Sequence, residues 1–217
     1  MKVQKFVFNP YVENSYILYQ EGSGEAVAID PGSYSSTERK TLTTFLDEAG
    51  LSVKIILNTH LHGDHIYGNE CLEKKYGCPS NACKLDQIPR EPLAPGEKPK
   101  RRAYWPFLDA EPVISNYIAE GDKFDVAGLK IETLATPGHS PGSLSFYLPE
   151  EKAVFVGDVL EEGGPGSLKF LYSSEAALRK SIAKLLELPA ETTVYFGHGD
   201  PAKLGEISQG LRTFLER

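Results

Sequence analysis

Thr59-His60-Leu61-His62-Gly63-Asp64-His65 follows directly on the apolar run Val53–Leu57 and packs three imidazoles and a carboxylate into six positions. Neutral imidazole and ionised carboxylate are the ligands that zinc and similar divalent cations take. In extended chain, residues two apart point the same way, so His60 and His62 can converge on one point. Gly63 lets the backbone turn, and Asp64 and His65 can then face a second point nearby. The stretch reads as half of a metal site that the rest of the chain must complete.

The bulk properties narrow the function classes. A chain of 217 residues is long enough to bury a proper core, as one generous domain or two small ones. Hydrophobic content of 41% and charged content of 24% are those of a soluble globular protein. A net charge of −7 argues against non-specific nucleic-acid binding, which needs a basic face. The opening residues carry no apolar signal-peptide core and no 18-residue apolar run occurs, so a cytoplasmic protein without a membrane span is expected. Cys71, Cys78 and Cys83 are odd in number and spaced by seven and five, which fits no usual zinc pattern. They read as reduced bystanders in a reducing compartment. Nothing in the sequence bears on oligomeric state.

Upstream of the histidine stretch, Val3–Phe8, Ser15–Tyr19 and Ala26–Ile29 have strand composition, with Glu21-Gly22-Ser23-Gly24 as a turn, and predict an antiparallel meander. It ends at Asp30-Pro31-Gly32, where Asp30 taken alone is a turn residue. Leu42, Phe45, Leu46 and Ala49 recur at helical spacing over Thr37–Ala49, and Gly50 stops that helix. Val53–Leu57 is a short buried strand, and loops at the carboxyl ends of such strands are where open α/β sheets place ligands. Ile66–Tyr76 is expected to be one helix ending at Gly77.

Residues 86–112 change character, with Pro89, Pro92, Pro95, Pro99, Pro106 and Pro112 forbidding regular helix or central strand. Such a loop is a linker or a functional lid. Its aromatics, including Tyr104 and Trp105, favour a loop that packs down and could touch substrate. Lys98, Lys100, Arg101 and Arg102 read either as a solvated basic loop or as a receiver for an anionic substrate. Beyond it, Lys123–Val126 and Leu129–Leu134 flank the hairpin signal Ala127-Gly128, and Ser143–Leu148, Ala153–Val156 and Thr192–Phe196 continue as strands. Glu175–Leu186 is an amphipathic helix that Ser173 or Ser174 caps, and a short helix closes the chain.

Strand-like runs therefore end at Asp30, at His60–His65, at His139, at Asp158 and at His198, each with Gly or Pro close by. All five histidines of the chain fall at these ends. His139 or His198 alone would read as structural; their joint placement with the dense stretch does not. Six or seven ligands exceed what one tetrahedral zinc takes. They suit two metals about 3.5–4 Å apart sharing a carboxylate and a bridging hydroxide, and Asp158 is the natural shared ligand because a carboxylate has two oxygens. A closed structural site favours cysteines, and none lies near, so catalysis is the expectation.

Thr59–His65 matches the H-x-H-x-D-H signature of the metallo-β-lactamase superfamily, and Asp30, that motif, His139, Asp158 and His198 follow in the family's order. The segments Thr136–Ser143, Val156-Gly157-Asp158 and Phe196–Gly199 resemble those of glyoxalase II-like hydrolases. The resemblance implies an α/β (α+β) fold, a four-layer αββα sandwich of two mixed β-sheets spanning residues 1–217 as one metallo-hydrolase domain. It implies that His60, His62 and His139 hold a first divalent metal, that Asp64, His65 and His198 hold a second, and that Asp158 bridges, with Asp64 and Asp158 as the catalytic carboxylates. Asp30 would orient ligands from behind. The pair would be zinc, with iron or manganese as alternatives. A metal-bound hydroxide would attack the carbonyl carbon of a small acyl or thioester substrate.

Two departures stand out. After Asp158 the family's G-R-[S/T]-D segment is replaced by Glu161–Ser167, and the chain ends soon after His198 without the helical C-terminal domain of full-length glyoxalase II. S-lactoylglutathione is thereby disfavoured as substrate. The competing readings are a mononuclear iron persulfide dioxygenase, a lactone hydrolase, and a non-catalytic metal-binding relic of the fold.

Overall fold

Along Glu25–Ile29, Val27 and Ile29 point to one side and Ala26 and Ala28 to the other, and all four are buried. A strand apolar on both faces belongs inside a multilayer protein, and the computed structural model, which describes residues 1–87, 113–162 and 164–217, has that form. The first sheet runs in the order β1 (Lys2–Phe8), β2 (Glu13–Tyr19), β3 (Glu25–Ile29), β4 (Ser52–Leu57), β5 (Ser80–Ala82) and β6 (Asn116–Tyr117). β1 to β3 form the expected antiparallel meander, and β3 to β6 are parallel. Helices α1 (Ser36–Glu48), α2 (Gly63–Ile66) and α3 (Asn69–Tyr76) belong to this half.

The second half contributes β7 (Lys123–Val126), β8 (Leu129–Ala135), β9 (Leu144–Leu148), β10 (Ala153–Gly157), the small pair β11 (Leu160–Glu161) and β12 (Gly164–Pro165), α4 (Glu175–Leu185), β13 (Thr193–Phe196), β14 (Ala202–Lys203) and α5 (Leu204–Glu216). Its large sheet has the order β14-β13-β10-β9-β8-β7, with β10 and β13 parallel and the other pairs antiparallel. One apolar core, including Leu18, Ile29, Leu57, Phe146 and Phe155, fills the space between the sheets. A second, with Ile17, Ala28, Leu42, Leu46 and Leu72, lies under α1 and α3. A third, with Val154, Leu178, Ile182, Phe196 and Leu211, lies under α4 and α5. Three apolar seams between four layers make the αββα sandwich.

Capping follows the sequence. Ser35 Oγ accepts from Glu38 N at 3.1 Å while the Glu38 carboxylate accepts from Ser35 N at 2.7 Å, a capping box that starts α1. Ala127 and Gly128 both take positive φ, 54° and 71°, as a two-residue hairpin turn requires. The two sheets are stitched at one edge: Tyr16 Oη donates to Phe196 O at 2.6 Å, and Asn14 Nδ2 donates to Gly199 O at 2.7 Å. These bonds anchor the loop that carries His198.

Some expectations change. Ile66–Tyr76 is not one helix but α2 and α3, broken at Tyr67–Gly68, where Gly68 N donates to Pro31 O at 2.7 Å. That docking onto the Asp30 loop is a tertiary bond that helical spacing does not encode. The closing helix is present and, at 13 residues, longer than the short one expected. Asp86, placed by composition in the proline-rich stretch, ends an ordered 3₁₀ turn, Lys84–Asp86. Lys98, Lys100, Arg101, Arg102, Tyr104 and Trp105 lie outside the described residues.

Candidate metal centre

Each strand-end residue reaches one edge of the sandwich. Asp30 follows β3, the histidine stretch follows β4, His139 lies in the β8–β9 connection, Asp158 follows β10 and His198 follows β13. Asp30 takes a positive φ of 46°, and its N–H donates to Leu57 O at 3.1 Å, which turns the carboxylate back toward Thr59.

The donors form two sets. In the first, His62 Nδ1 lies 2.8 Å from His60 Nε2 and 3.0 Å from His139 Nε2. Asp158 Oδ2 completes it, 3.9 Å from His60 Nε2 and 3.6 Å from His139 Nε2. In the second, Asp64 Oδ2 lies 3.5 Å from His198 Nε2 and 3.8 Å from His65 Nε2. Asp158 reaches this set too, with Oδ1 3.4 Å from His65 Nε2 and Oδ2 3.6 Å from His198 Nε2. One carboxylate thus faces both sets.

The outer nitrogens fix what the inner ones present. Thr59 Oγ1 donates to Asp30 Oδ2 at 2.6 Å, which leaves its lone pair for His60 Nδ1–H at 3.1 Å. His65 Nδ1 lies 3.0 Å from Asp30 Oδ2, His139 Nδ1 2.8 Å from Ser167 O, and His198 Nδ1 3.2 Å from Val12 O. These partners are acceptors, so each of those nitrogens carries its proton outward and turns a bare lone pair inward. His62 Nε2 meets the Tyr172 hydroxyl at 2.8 Å, which leaves Nδ1 for the interior.

Five inward-facing imidazole nitrogens, four of them with the proton held on the outer nitrogen, and two carboxylates crowd one another unless positive charge sits between them. The separations of 2.8–3.9 Å have the scale of edges of a coordination shell with bonds of about 2.0–2.2 Å. His65 Nε2 and Asp158 Oδ1 are buried without a hydrogen-bond partner although they face each other. The donor set therefore fits a pair of divalent cations: His60, His62, His139 and Asp158 could hold one, and Asp64, His65 and His198 the other. Asp30 also comes within reach of His60 and His65, but its oxygens are engaged by Thr59 and His65 Nδ1–H, so it orients ligands rather than adding one.

Electrostatics agree. Burial, reinforced by neighbouring imidazoles, holds His60 well below the ordinary histidine range and His62 down at about 3. At His65 burial pulls the same way, but Asp158, Asp64 and Asp30 overcome it and push the pKa well up. At His198 burial is likewise outweighed by the Asp158 and Asp64 carboxylates, 3.6 and 3.5 Å from its Nε2, giving about 10. Burial would raise Asp158, but His65 and His198 overcome it and hold the carboxyl well below the usual range. The second set draws positive charge, and a proton is what it takes when no metal is there. His65 and His60 are closed off from solvent, whereas Asp64 and His198 have side-chain exposures of 14% and 28%.

A sequence model described as the metallo-beta-lactamase superfamily matches residues 9–198. The chain belongs to that superfamily. Among curated relatives of this metallo-β-lactamase superfamily member, the hydroxyacylglutathione hydrolase of Rhizobium meliloti (strain 1021) is 31% identical over 182 residues, covering 84% of this chain and 60% of the relative. The probable metallo-hydrolase YqgX of Bacillus subtilis (strain 168) is 32% identical over 201 residues, covering 92% of this chain and 90% of the relative. The chain thus spans about 60% of the first relative's length. Of solved structures, TTHA1623 in a di-iron-bound form has a TM-score of 0.78 at 32% identity, covering 95% of this chain and 97% of that one. The BLEG-1 B3 metallo-beta-lactamase has a TM-score of 0.81 at 26% identity over all of both chains.

Sequence reasoning misses the residues that brace the superfamily site from outside. Thr59 lies within the quoted stretch, yet its residue type alone gives no sign of its bond to Asp30. Phe170 and Tyr172 stack on each other at 5.2 Å, and the Phe170 ring sits 4.5 Å from His62 and 5.5 Å from His139. No helix among the described residues is long and apolar enough to cross a membrane.

Proposed function

We propose that the chain is a metal-dependent hydrolase that cleaves a small thioester, in the manner its hydroxyacylglutathione hydrolase relatives are named for. In this reading His60, His62 and His139 hold a first divalent metal, Asp64, His65 and His198 hold a second, and Asp158 is shared between them. The observation that carries it is the convergence of one inner nitrogen from each of the five imidazoles on the same two carboxylates. When bound, such a metal pair supplies Lewis acidity at the scissile carbonyl and lowers the pKa of water to about 7.

The chain's own residues do the rest. Thr59 and Asp30 hold His60 and His65 in the tautomer that leaves the inner nitrogen bare. Ser167 and Val12 do the same for His139 and His198 through backbone carbonyls. Phe170 and Tyr172 cover the rings of the first set and exclude water there. In this reading substrate approaches from the solvent side, at Asp64 and His198, and Asp64 helps to orient the attacking water. No serine or cysteine nucleophile is required. We propose zinc for the pair; the di-iron form of TTHA1623 makes iron the second candidate. The complete second set also supports a two-metal hydrolase over a one-iron dioxygenase, which would leave Asp64, His65 and His198 facing one another without a cation.

Metal content per chain, combined with turnover of a small panel of acyl thioesters, tests the proposal. About two metals per chain are expected, with activity abolished by chelation, restored by zinc, and lost in His62→Ala and Asp158→Ala. Full activity in metal-free protein overturns it, as does one iron per chain with persulfide oxidation and no thioester hydrolysis.

A further inference from the structure

Asp86 is fully buried, yet it belongs to none of the strand ends that supply the donors. Its carboxylate is nevertheless bonded to two of the loops that do. Oδ2 accepts from Leu61 N at 3.1 Å, and Leu61 is the residue between His60 and His62. The same oxygen accepts from Ser140 Oγ at 2.9 Å, next to His139. Oδ1 accepts from Gly142 N at 2.5 Å in the same turn. Position 142 is glycine for a reason the distances make plain: a Cβ there would lie 2.6 Å from Asp86 Oδ1 and 2.7 Å from Asp86 N. A buried carboxylate costs several kcal/mol to desolvate unless it is multiply hydrogen-bonded, so its three donors are set by it as much as it is by them.

We infer that Asp86 is a positioning residue for the first metal, clamping the His60–His62 loop to the His139 loop so that three imidazole nitrogens meet at one point. It mirrors Asp30, which braces Thr59 and His65 from the other side. Asp86 belongs to neither donor set and acts on the first metal through the two loops. The inference rests on the two-metal reading above.

In Asp86→Asn the amide nitrogen must face at least one of the three donors, so a hydrogen bond becomes a donor–donor contact while shape and volume are kept. Stepwise chelator competition on purified protein, followed with cobalt(II) as an optical probe of each site, reads the outcome without recourse to turnover. Wild type should release two metals per chain in two resolvable steps. Asp86→Asn should weaken the metal of the His60, His62 and His139 set by about 10–100-fold. The metal of the Asp64, His65 and His198 set should stay within about threefold. Gly142→Ala, which pushes Asp86 out from the other end, should copy Asp86→Asn and serves if that variant does not fold. Wild type with no bound metal overturns the two-metal reading itself. Wild type with two metals, and Asp86→Asn and Gly142→Ala with unchanged affinities or with both sites weakened equally, overturns the clamp.

Discussion

His65 Nδ1 lies 3.0 Å from Asp30 Oδ2, and both groups are sealed from solvent. A carboxylate from the end of β3 thus sets the tautomer of a histidine 35 positions away. The same carboxylate accepts from Thr59 N at 2.7 Å and Thr59 Oγ1 at 2.6 Å, so it braces both halves of the histidine stretch. In Asp30→Asn an amide N–H₂ would face one of these donors. The expected result is a 10–100-fold loss of affinity at the second metal site, with the fold intact by circular dichroism. Isothermal titration with zinc checks it; unchanged affinity would mean that His65 is held by packing alone.

Tyr172→Phe isolates one hydroxyl. His62 Nε2 loses its partner at 2.8 Å while the stacking of ring 172 on Phe170 is kept. We expect roughly tenfold weaker binding at the first metal site, at the low end of what removal of such an outer partner costs, and little change in melting temperature. Metal competition alongside calorimetry separates the two effects.

Gly197→Ala should act on the shared carboxylate. A Cβ at 197 would stand 2.1 Å from Asp158 Oδ1 and 2.7 Å from His65 Cε1. Overpacking of this kind costs about 1–3 kcal/mol, and here the displaced group is the carboxylate shared by both proposed metals. Both metals should be weakened together, in contrast with the one-sided variants. Elemental analysis after gel filtration in dilute chelator gives the answer.

Glu38 offers a stability prediction with a defined sign. Partial burial would raise its pKa, but the backbone N–H groups of Ser35, Asn9 and Tyr34 outweigh that and hold it below the usual range. A depressed acid stabilises the fold above its unfolded pKa, near 4.3, and loses that contribution as pH falls through the folded value. Glu38→Gln should therefore destabilise the metal-stripped protein at pH 7, and the gap to wild type should close as pH drops below about 4. Ser35→Ala, which removes the other half of the capping box, should cost about 1 kcal/mol at pH 7. Denaturant titrations between pH 7 and pH 3.5 measure both, and a Glu38→Gln deficit that persists in acid would refute the charge argument.

The fold and most of the centre were legible because they are written in residue types with restricted uses. Histidine or aspartate with glycine or proline close by, at one strand end after another, is rare enough to stand out, and the family resemblance then suggested roles for them. What stayed hidden was written in common residues or in none. Val12 and Ser167 act through backbone carbonyls, which any side chain could accompany. Asp86 looks like every other loop aspartate beside a proline-rich stretch until Leu61, Ser140 and Gly142 are seen around it. The break between α2 and α3 comes from Pro31 O, more than 30 positions upstream of Gly68, which lies beyond any local pattern.

The three apolar seams lie apart from the donor cluster, and each of the five imidazoles has its outer nitrogen tethered to protein. The tethers are the fold's own, so the proposed cage would be built largely by the protein, unlike a zinc finger, whose folding waits for its metal. An ion that leaves gives back electrostatic repulsion and not the fold, so exchange should be reversible. Which divalent ion occupies such a ready-made cage is then decided largely by which one the surroundings supply, within the ordinary ranking of affinities.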